Sequence, residues 1–367
     1  MFMLFPERAK KIKFTHIWRS RLIPFVIGLY AGLNFCSAGD NLLSRTVSTT
    51  SESTTHSNTN VPATLSSNSM QWSVSLRWEN DTFSGTDRFY TDGVSLSIAH
   101  TGPSWIDFIA DRIPCAKGTR TVAYEIGQIM VTPSDTKLAV PDPNDRPYAG
   151  ILYVAVSIHI DHTNYYNGFK FITGVVGPWS LAEETQKQVH RWIHASLPQG
   201  WDYQLHNEPV LNLVYEHRRK YQIIGKSNGF GVEILPAGNI MLGNVLCQAQ
   251  AGTQLRIGYN IPHDFGTTLM RGMVHMPPPR ETSPKFGVYF YGGVHGNFVA
   301  RDITLDGNTW KNSPSVDKEW FVPAAEVGMS VKCSRLIAAF SYVFWGQEFK
   351  NQPEHSEFGA FTVSYLF

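Results

Sequence analysis

Charge is scarce in this sequence. Only 17% of its 367 residues are charged, and 31 basic against 30 acidic residues leave a net charge of +1. That balance excludes a nucleic-acid binder working through bulk positive charge. Long apolar runs are missing too. A spanning helix needs about 20 mostly apolar residues, and only one stretch near the N-terminus approaches this. A mean hydropathy of −0.18 agrees, so a helical membrane bundle is excluded. There is no Gly-x-Ser-x-Gly elbow and no phosphate-binding loop. Aromatics and glycine are abundant instead: 22 Phe, 15 Tyr, 10 Trp and 30 Gly. A soluble chain of this length would form two or three domains with dry cores and long apolar runs. This one alternates.

Residues 1–38 read as a secretory signal peptide. Lys10, Lys11, Lys13, Arg19 and Arg21 form a basic start, and residues 22–35 an apolar stretch too short to span. Cys36-Ser37-Ala38 suits signal-peptidase cleavage, and the bulky Phe35 argues against a lipoprotein cysteine at Cys36. Residues 39–70, dominated by Ser, Thr and Asn, read as a disordered linker. Folding is expected over 71–367. Three cysteines remain there, Cys115, Cys247 and Cys333, an odd number that cannot pair fully. Cys115 and Cys333 bridge only if their segments meet at one end of the fold. Free thiols are the expectation.

From residue 71 the dominant period is two. Val74, Leu76 and Trp78 alternate with Ser75, Arg77 and Glu79, and Phe361, Val363, Tyr365 and Phe367 with Thr362 and Ser364. Such alternation marks strands with two different faces. It predicts twelve strands, near 71–80, 89–100, 121–131, 148–161, 167–177, 208–222, 226–241, 247–260, 284–300, 318–332, 335–349 and 356–367. An even count of long strands with alternating short and long connections predicts an all-β fold, a closed antiparallel transmembrane barrel. A soluble β-sandwich explains the alternation, but not the export signal, the aromatic load and the terminal Phe367 together. With the N-terminus in the periplasm, the loops after strands 1, 3 and 5 face outward. Residues 101–120 and 261–282 are then periplasmic connections, long for that side.

One segment has a helical period. Residues 179–194 follow Pro178 and carry Glu183 and Glu184 early, where the helix dipole favours negative charge. Leu181, Thr185, Val189 and Trp192 form a stripe expected to lean on the barrel wall. A short helix in an outer loop is more often functional than ornamental.

Four polar spots fall at the outer end. Glu79-Asn80-Asp81 closes strand 1. Asp87-Arg88 and Tyr90-Thr91-Asp92-Gly93 open strand 2. Thr132, Asp135, Lys137 and Asp145-Arg146-Pro147-Tyr148 follow strand 3, and His190 with His194 lies on the helix. Asn and Asp are also ordinary turn residues. Together, however, these spots hold oxygen donors for a hard cation, an imidazole base and a lysine for an oxyanion. That set suits ester hydrolysis. The spacing of His190 and His194 also suits zinc, but no third ligand has a convincing spacing.

Three ordered blocks resemble the outer-membrane lipid A deacylase family, LpxR. The first is Trp78-Glu79-Asn80-Asp81 with Thr86-Asp87-Arg88-Phe89-Tyr90-Thr91-Asp92-Gly93, and the second Asp145-Arg146-Pro147-Tyr148-Ala149-Gly150. The third begins at Gly177-Pro178-Trp179, runs to His190, and continues in Gly200-Trp201-Asp202-Tyr203-Gln204-Leu205 and Asn207-Glu208-Pro209. The resemblance covers about residues 71–367. It implies a twelve-stranded outer-membrane barrel that removes the 3′-linked acyloxyacyl chains of lipid A in a calcium-dependent reaction. The implied active site lies between the wall and a loop helix. The resemblance implies that Asn80 and Asp81 serve the site and its cation. Thr91 is the implied hydroxyl residue and His190 the residue that activates water. Lys137 matches the oxyanion lysine across a one-residue gap. The implied partners are lipid A or lipopolysaccharide, outer-membrane lipids and the barrel-assembly machinery, which reads a C-terminal aromatic strand; no nucleic acid is expected. One departure stands out. The well-known enteric form of the family has a Glu six residues after the histidine, where this chain has Ser196; if that Glu orients or tunes the ring, another group, with Asp202 a candidate, must do so here. Acyl transfer through Thr91, a phospholipase, and a non-enzymatic pore or adhesin are the competing readings.

Overall fold

The computed structural model describes residues 70–84, 88–112, 118–225, 228–267, 271, 273 and 284–367. The expected signal peptide, the linker up to residue 69, Asp87 and Cys115 lie outside the described residues. The described chain forms strands β1 (Trp72–Asn80), β2 (Phe89–Thr101), β3 (Thr119–Thr132), β4 (Ala149–Asp161) and β5 (Tyr165–Val176). It continues with β6 (Glu208–Arg219), β7 (Tyr221–Gly225), β8 (Phe230–Gly243), β9 (Leu246–Tyr259) and β10 (Phe286–Asp302). It ends with β11 (Phe321–Cys333), β12 (Leu336–Trp345) and β13 (Ser356–Leu366). β6 and β7 both pair with β8 and are two arms of one strand interrupted at Lys220, so the wall has twelve strands. Every neighbouring pair is antiparallel. β1 pairs with β13, and the β6–β8 pairing closes the sheet. Closure removes the edges that would otherwise need covering in a membrane.

The two faces of the wall obey different solvents. Ser73, Ser75, Arg77 and Glu79 of β1 are buried in the lumen, whereas Leu76 and Trp78 are 48% and 41% exposed on the outside. The low charge of the sequence is thus a consequence of a lipid-facing exterior.

Among the described residues, side chains pack into the lumen. Its outer part holds an apolar cluster that includes Ile129, Val131, Ile151, Ile172, Val210 and Trp345. Below it, charges are paired: Lys170 with Glu125 at 2.9 Å, Arg218 with Glu216 at 2.7 Å, and Arg256 with both Glu233 and Asp264. Tyr153 donates to Glu125 at 2.7 Å, and Gln254 to Glu326 at 2.7 Å. Pairing is what makes charge tolerable there, since an isolated buried ion costs several kcal/mol.

The β9–β10 connection corrects one expectation. Its described residues do not stay at the periplasmic end but enter the lumen. Arg218 donates to the carbonyls of Phe265 and Thr267 at 3.0 and 2.6 Å, and Lys170 to the carbonyl of Met273 at 2.5 Å. Arg271 lies over the rings of Tyr90 and Trp345, 4.6 and 4.7 Å from their centroids. It pairs there with Glu348 of the outer β12–β13 loop. The connection is long because luminal cations use its backbone oxygens as acceptors.

The cysteines are corrected as well. Cys247 is a free thiol, but Cys333, at the periplasmic end of β11, is disulfide-bonded. An oxidising compartment permits this bond.

Candidate functional site

β1 and β2 bring the first polar residues together. Their register sets Asn80 opposite Asp92, on the outward face with Trp78. Asn80 Nδ2 donates to Asp92 Oδ2 at 3.2 Å, and the Trp78 indole N–H to the same oxygen at 3.3 Å. The Asn80 side-chain oxygen accepts from the Thr82 N–H at 2.7 Å, capping the short turn Asp81–Phe83. Asp81 is 2% exposed, and its Oδ2 accepts from the Arg88 N–H at 2.6 Å. Turn formation therefore uses both residues. Thr91 sits at a bulge where the β2–β3 register shifts between Tyr90 and Asp92. Bulges re-aim side chains, and the Thr91 hydroxyl meets that of Thr132 at 2.7 Å.

The β5–β6 loop supplies the histidine. A turn, Pro178–Ser180, leads into the loop helix Ala182–Trp192 through Leu181, which adopts a left-handed φ of 58°. A bulky residue there is strained backbone, a feature that clusters at functional sites. The helix rests on the outer face of β3 and β4. Gly150 allows this approach: a Cβ at that position would lie 2.2 Å from both Ala182 Cβ and Ser180 Oγ. Gln128 of β3 donates to the Ser180 carbonyl at 2.6 Å.

The face that meets the wall is not the apolar stripe. The buried residues are Ala182, Gln186 and His190, spaced four apart, whereas Leu181, Val189 and Trp192 are 54%, 39% and 70% exposed. The expected orientation of the helix is thereby corrected. Ala182 clusters with Met130, Tyr148 and Trp201, and Gln186 accepts from the Trp201 indole N–H at 2.8 Å. Met130 pairs with Asp92 in the strand register, so the helix lies over the strand beside the Asn80–Asp92 rim.

His190 is 7% exposed, and its Nδ1 lies 2.5 Å from the Ser196 carbonyl. A carbonyl only accepts, so Nδ1 carries the proton and Nε2 is the basic nitrogen of the neutral ring. The backbone of Ser196 thus orients the ring. Asp202, the other candidate for that role, is exposed. His194 is exposed at the helix end, with φ 57°.

Lys137 is exposed on the β3–β4 loop, its N–H bonded to Asp135 Oδ1 at 2.9 Å. The carbonyl of the preceding Thr136 accepts from the Gln199 N–H at 2.9 Å, so this segment adjoins the loop that follows the helix. Arg146, from the same loop, is fully buried and donates to Glu348 at 2.9 Å and to the Thr304 hydroxyl at 2.9 Å. Glu348 therefore faces two guanidiniums. Burial alone would raise its pKa, but Arg271 and Arg146 outweigh that and lower it from 4.5 to about 2. Sequence reasoning gave Gln128, Gln186, Arg271 and Glu348 no role. Gln186 was within reach, standing one helical turn before His190 on the same face.

The donors expected to hold calcium are oxygens only, which is the right chemistry for a hard cation. Among the described residues, no group of three or more His, Cys, Asp and Glu could hold a metal ion. A calcium ion at Asn80 and Asp81 would draw the rest of its roughly six to eight oxygens from backbone, water or substrate.

A profile of the family described as outer membrane protein LpxR matches residues 43–367. No curated protein sequence matches the chain. Among solved structures, LpxR from Salmonella typhimurium superposes with a TM-score of 0.66 at 19% identity, covering 80% of this chain and 100% of that one. The translocator domain of autotransporter NalP from Neisseria meningitidis is a weaker likeness, with TM-score 0.36, 10% identity, and 83% and 90% coverage. The β domain of the Bordetella autotransporter BrkA is similar in degree, with TM-score 0.38, 8% identity, and 81% and 98% coverage. With the closed barrel, the helix on its outer face and the family match in hand, this chain belongs to the LpxR family of outer membrane proteins.

Proposed function

We propose that this protein is a lipid A deacylase that hydrolyses the 3′-linked acyloxyacyl ester in the outer leaflet. One observation carries the reading. His190 is buried between the loop helix and the lipid-facing side of the wall, with its Nδ1 proton fixed on the Ser196 carbonyl. A base on that side meets a lipid ester; a base in the lumen would not.

His190 Nε2 takes a proton from water as the water oxygen bonds to the ester carbonyl carbon. The tetrahedral adduct collapses with cleavage of the bond to the sugar oxygen, and the imidazolium returns its proton to that oxygen. General base catalysis of this kind contributes about 10²–10⁴-fold. A calcium ion held by Asn80 and Asp81 would supply stabilisation of the negative charge on the carbonyl oxygen. Lys137 is the alternative cation for that charge. Thr91, hydrogen-bonded to Thr132, shapes the rim between β2 and β3. The terminal strand ending in Phe367 is the proposed signal for the barrel-assembly machinery. The apolar side chains and ion pairs packed into the lumen favour this reading over a pore.

The test is His190→Ala, assayed by mass spectrometry of lipid A and phospholipids from cells carrying the folded barrel. A loss of at least about 100-fold in release of 3′-linked chains is expected. Full activity in the variant refutes the base. Loss of chains from phospholipids alone, in the wild type, makes the protein a phospholipase. The same assay with a chelator tests the calcium, and undiminished activity there removes the ion from the mechanism.

A further inference from the structure

The loop helix has three faces, whereas a helix lying between a protein and water needs only two. At 3.6 residues per turn, Ala182, Gln186 and His190 form the wall-facing sector. Glu183, Glu184, Lys187 and Arg191 form a charged sector on one side of it. Thr185, Val189 and Trp192 form the remaining sector, flanked by Leu181. Among the described residues, this third sector is left largely uncovered. Trp192 is 70% exposed and Leu181 54%, and the adjoining Trp179 and Ile193 are 71% and 60% exposed. A soluble protein rarely leaves so large an apolar patch against water.

We propose that this flank is seated in the outer leaflet, in contact with the acyl chains of neighbouring lipids, so that the helix is an interfacial anchor. Continuity with an existing lipid surface supports this occupant over a second protein. The helix sits on β3 and β4, and the outer face of the wall there carries Ile126 and Val154, 51% and 50% exposed. These residues line a shallow apolar groove of about 410 Å³. The strands that carry the helix thus continue below it as a lipid-facing apolar wall. Tryptophan is the residue enriched at such interfaces, and an interfacial helix of this type sinks about 5–10 Å below the headgroup boundary. The charged sector remains for water and headgroups. Anchoring fixes the depth of His190, at the edge of the wall-facing sector that adjoins the charged one. In this respect the inference deepens the proposed deacylase reading and rests on it for its consequence, though not for its test.

The test uses the folded protein with residues 1–38 removed, in liposomes, with Cys247→Ser to remove the free thiol of the described residues and a nitroxide attached to Trp192→Cys or, separately, Glu184→Cys. Collision with oxygen, which partitions into lipid, is compared with collision with a water-soluble nickel complex. At position 192 oxygen is expected to exceed the nickel complex several-fold, and at position 184 the order reverses. Equal water access at both positions overturns the proposal. So does protection of position 192 from both reagents, which would mean a covering protein or sugar. The readout needs no catalysis, so an inactive enzyme with a lipid-exposed label refutes only the deacylase reading.

Discussion

The lumen and the outer rim of the wall hold polar groups for opposite reasons. In the lumen, Lys170, Arg218 and Arg256 are buried and paired, each against a carboxylate and a carbonyl of the β9–β10 connection. On the outward face beside the loop helix the polar groups are few: Asn80, Asp92, Gln128, Gln186 and His190. Charge density therefore points to the wrong side of this protein. A barrel has two interiors, one of protein and one of lipid, and ionic pairs fill the first because desolvated charge must be neutralised. The second tolerates only groups whose partners are already fixed.

That comparison can be broken at the contact between helix and wall. Gly150→Val is expected to have the largest effect, because its side chain would collide with Ala182 and Ser180. Deacylation should fall as far as in His190→Ala, while heat-modifiability on gels still reports a folded barrel. Retained activity would mean that the helix need not touch the wall.

The lumen-side counterpart is Glu348→Gln, which leaves Arg146 and Arg271 buried without their shared carboxylate. Breaking a buried ionic group in this way costs about 3–5 kcal/mol, read by urea unfolding in liposomes, with a smaller effect on the chemical step. The pH dependence has a definite sign. The folded pKa of Glu348 is lowered from 4.5 to about 2, so its stabilisation is fully present above pH 4.5 and declines as pH falls toward 2. Glu348→Gln should flatten that part of the acid-unfolding profile. An unchanged profile would show that this carboxylate does not brace the outer loops.

Trp201→Phe is the mildest test. It keeps the ring against Tyr148 and removes one hydrogen bond to Gln186, worth about 1 kcal/mol. Activity should drop only a few-fold, and a complete loss would give Trp201 a larger role than holding Gln186.

Much of the wall was legible because a strand between lipid and a polar lumen must alternate with period two. Val74, Leu76 and Trp78 announce it residue by residue. The loop helix was legible from Pro178, Glu183 and Glu184, but its orientation was not. The usual rule sends the apolar stripe toward protein, and here lipid competes for it. The role of Ser196 was hidden for another reason: its backbone carbonyl acts, and every residue type has one. The luminal course of the β9–β10 connection was equally unreadable, since Arg271 meets Glu348 only when residues 77 positions apart are folded together.

The sequence by itself determined the solvents of this protein. Its alternation, its scarcity of charge and the order of its motif blocks dictate an outer-membrane barrel with polar residues gathered at one rim. Tertiary structure alone decided which polar residues brace the lumen and which lie on the outer face beside the loop helix. Hydropathy records what a side chain prefers as a neighbour, whereas the side of the wall it occupies, and the partner it finds there, depend on closure of the sheet.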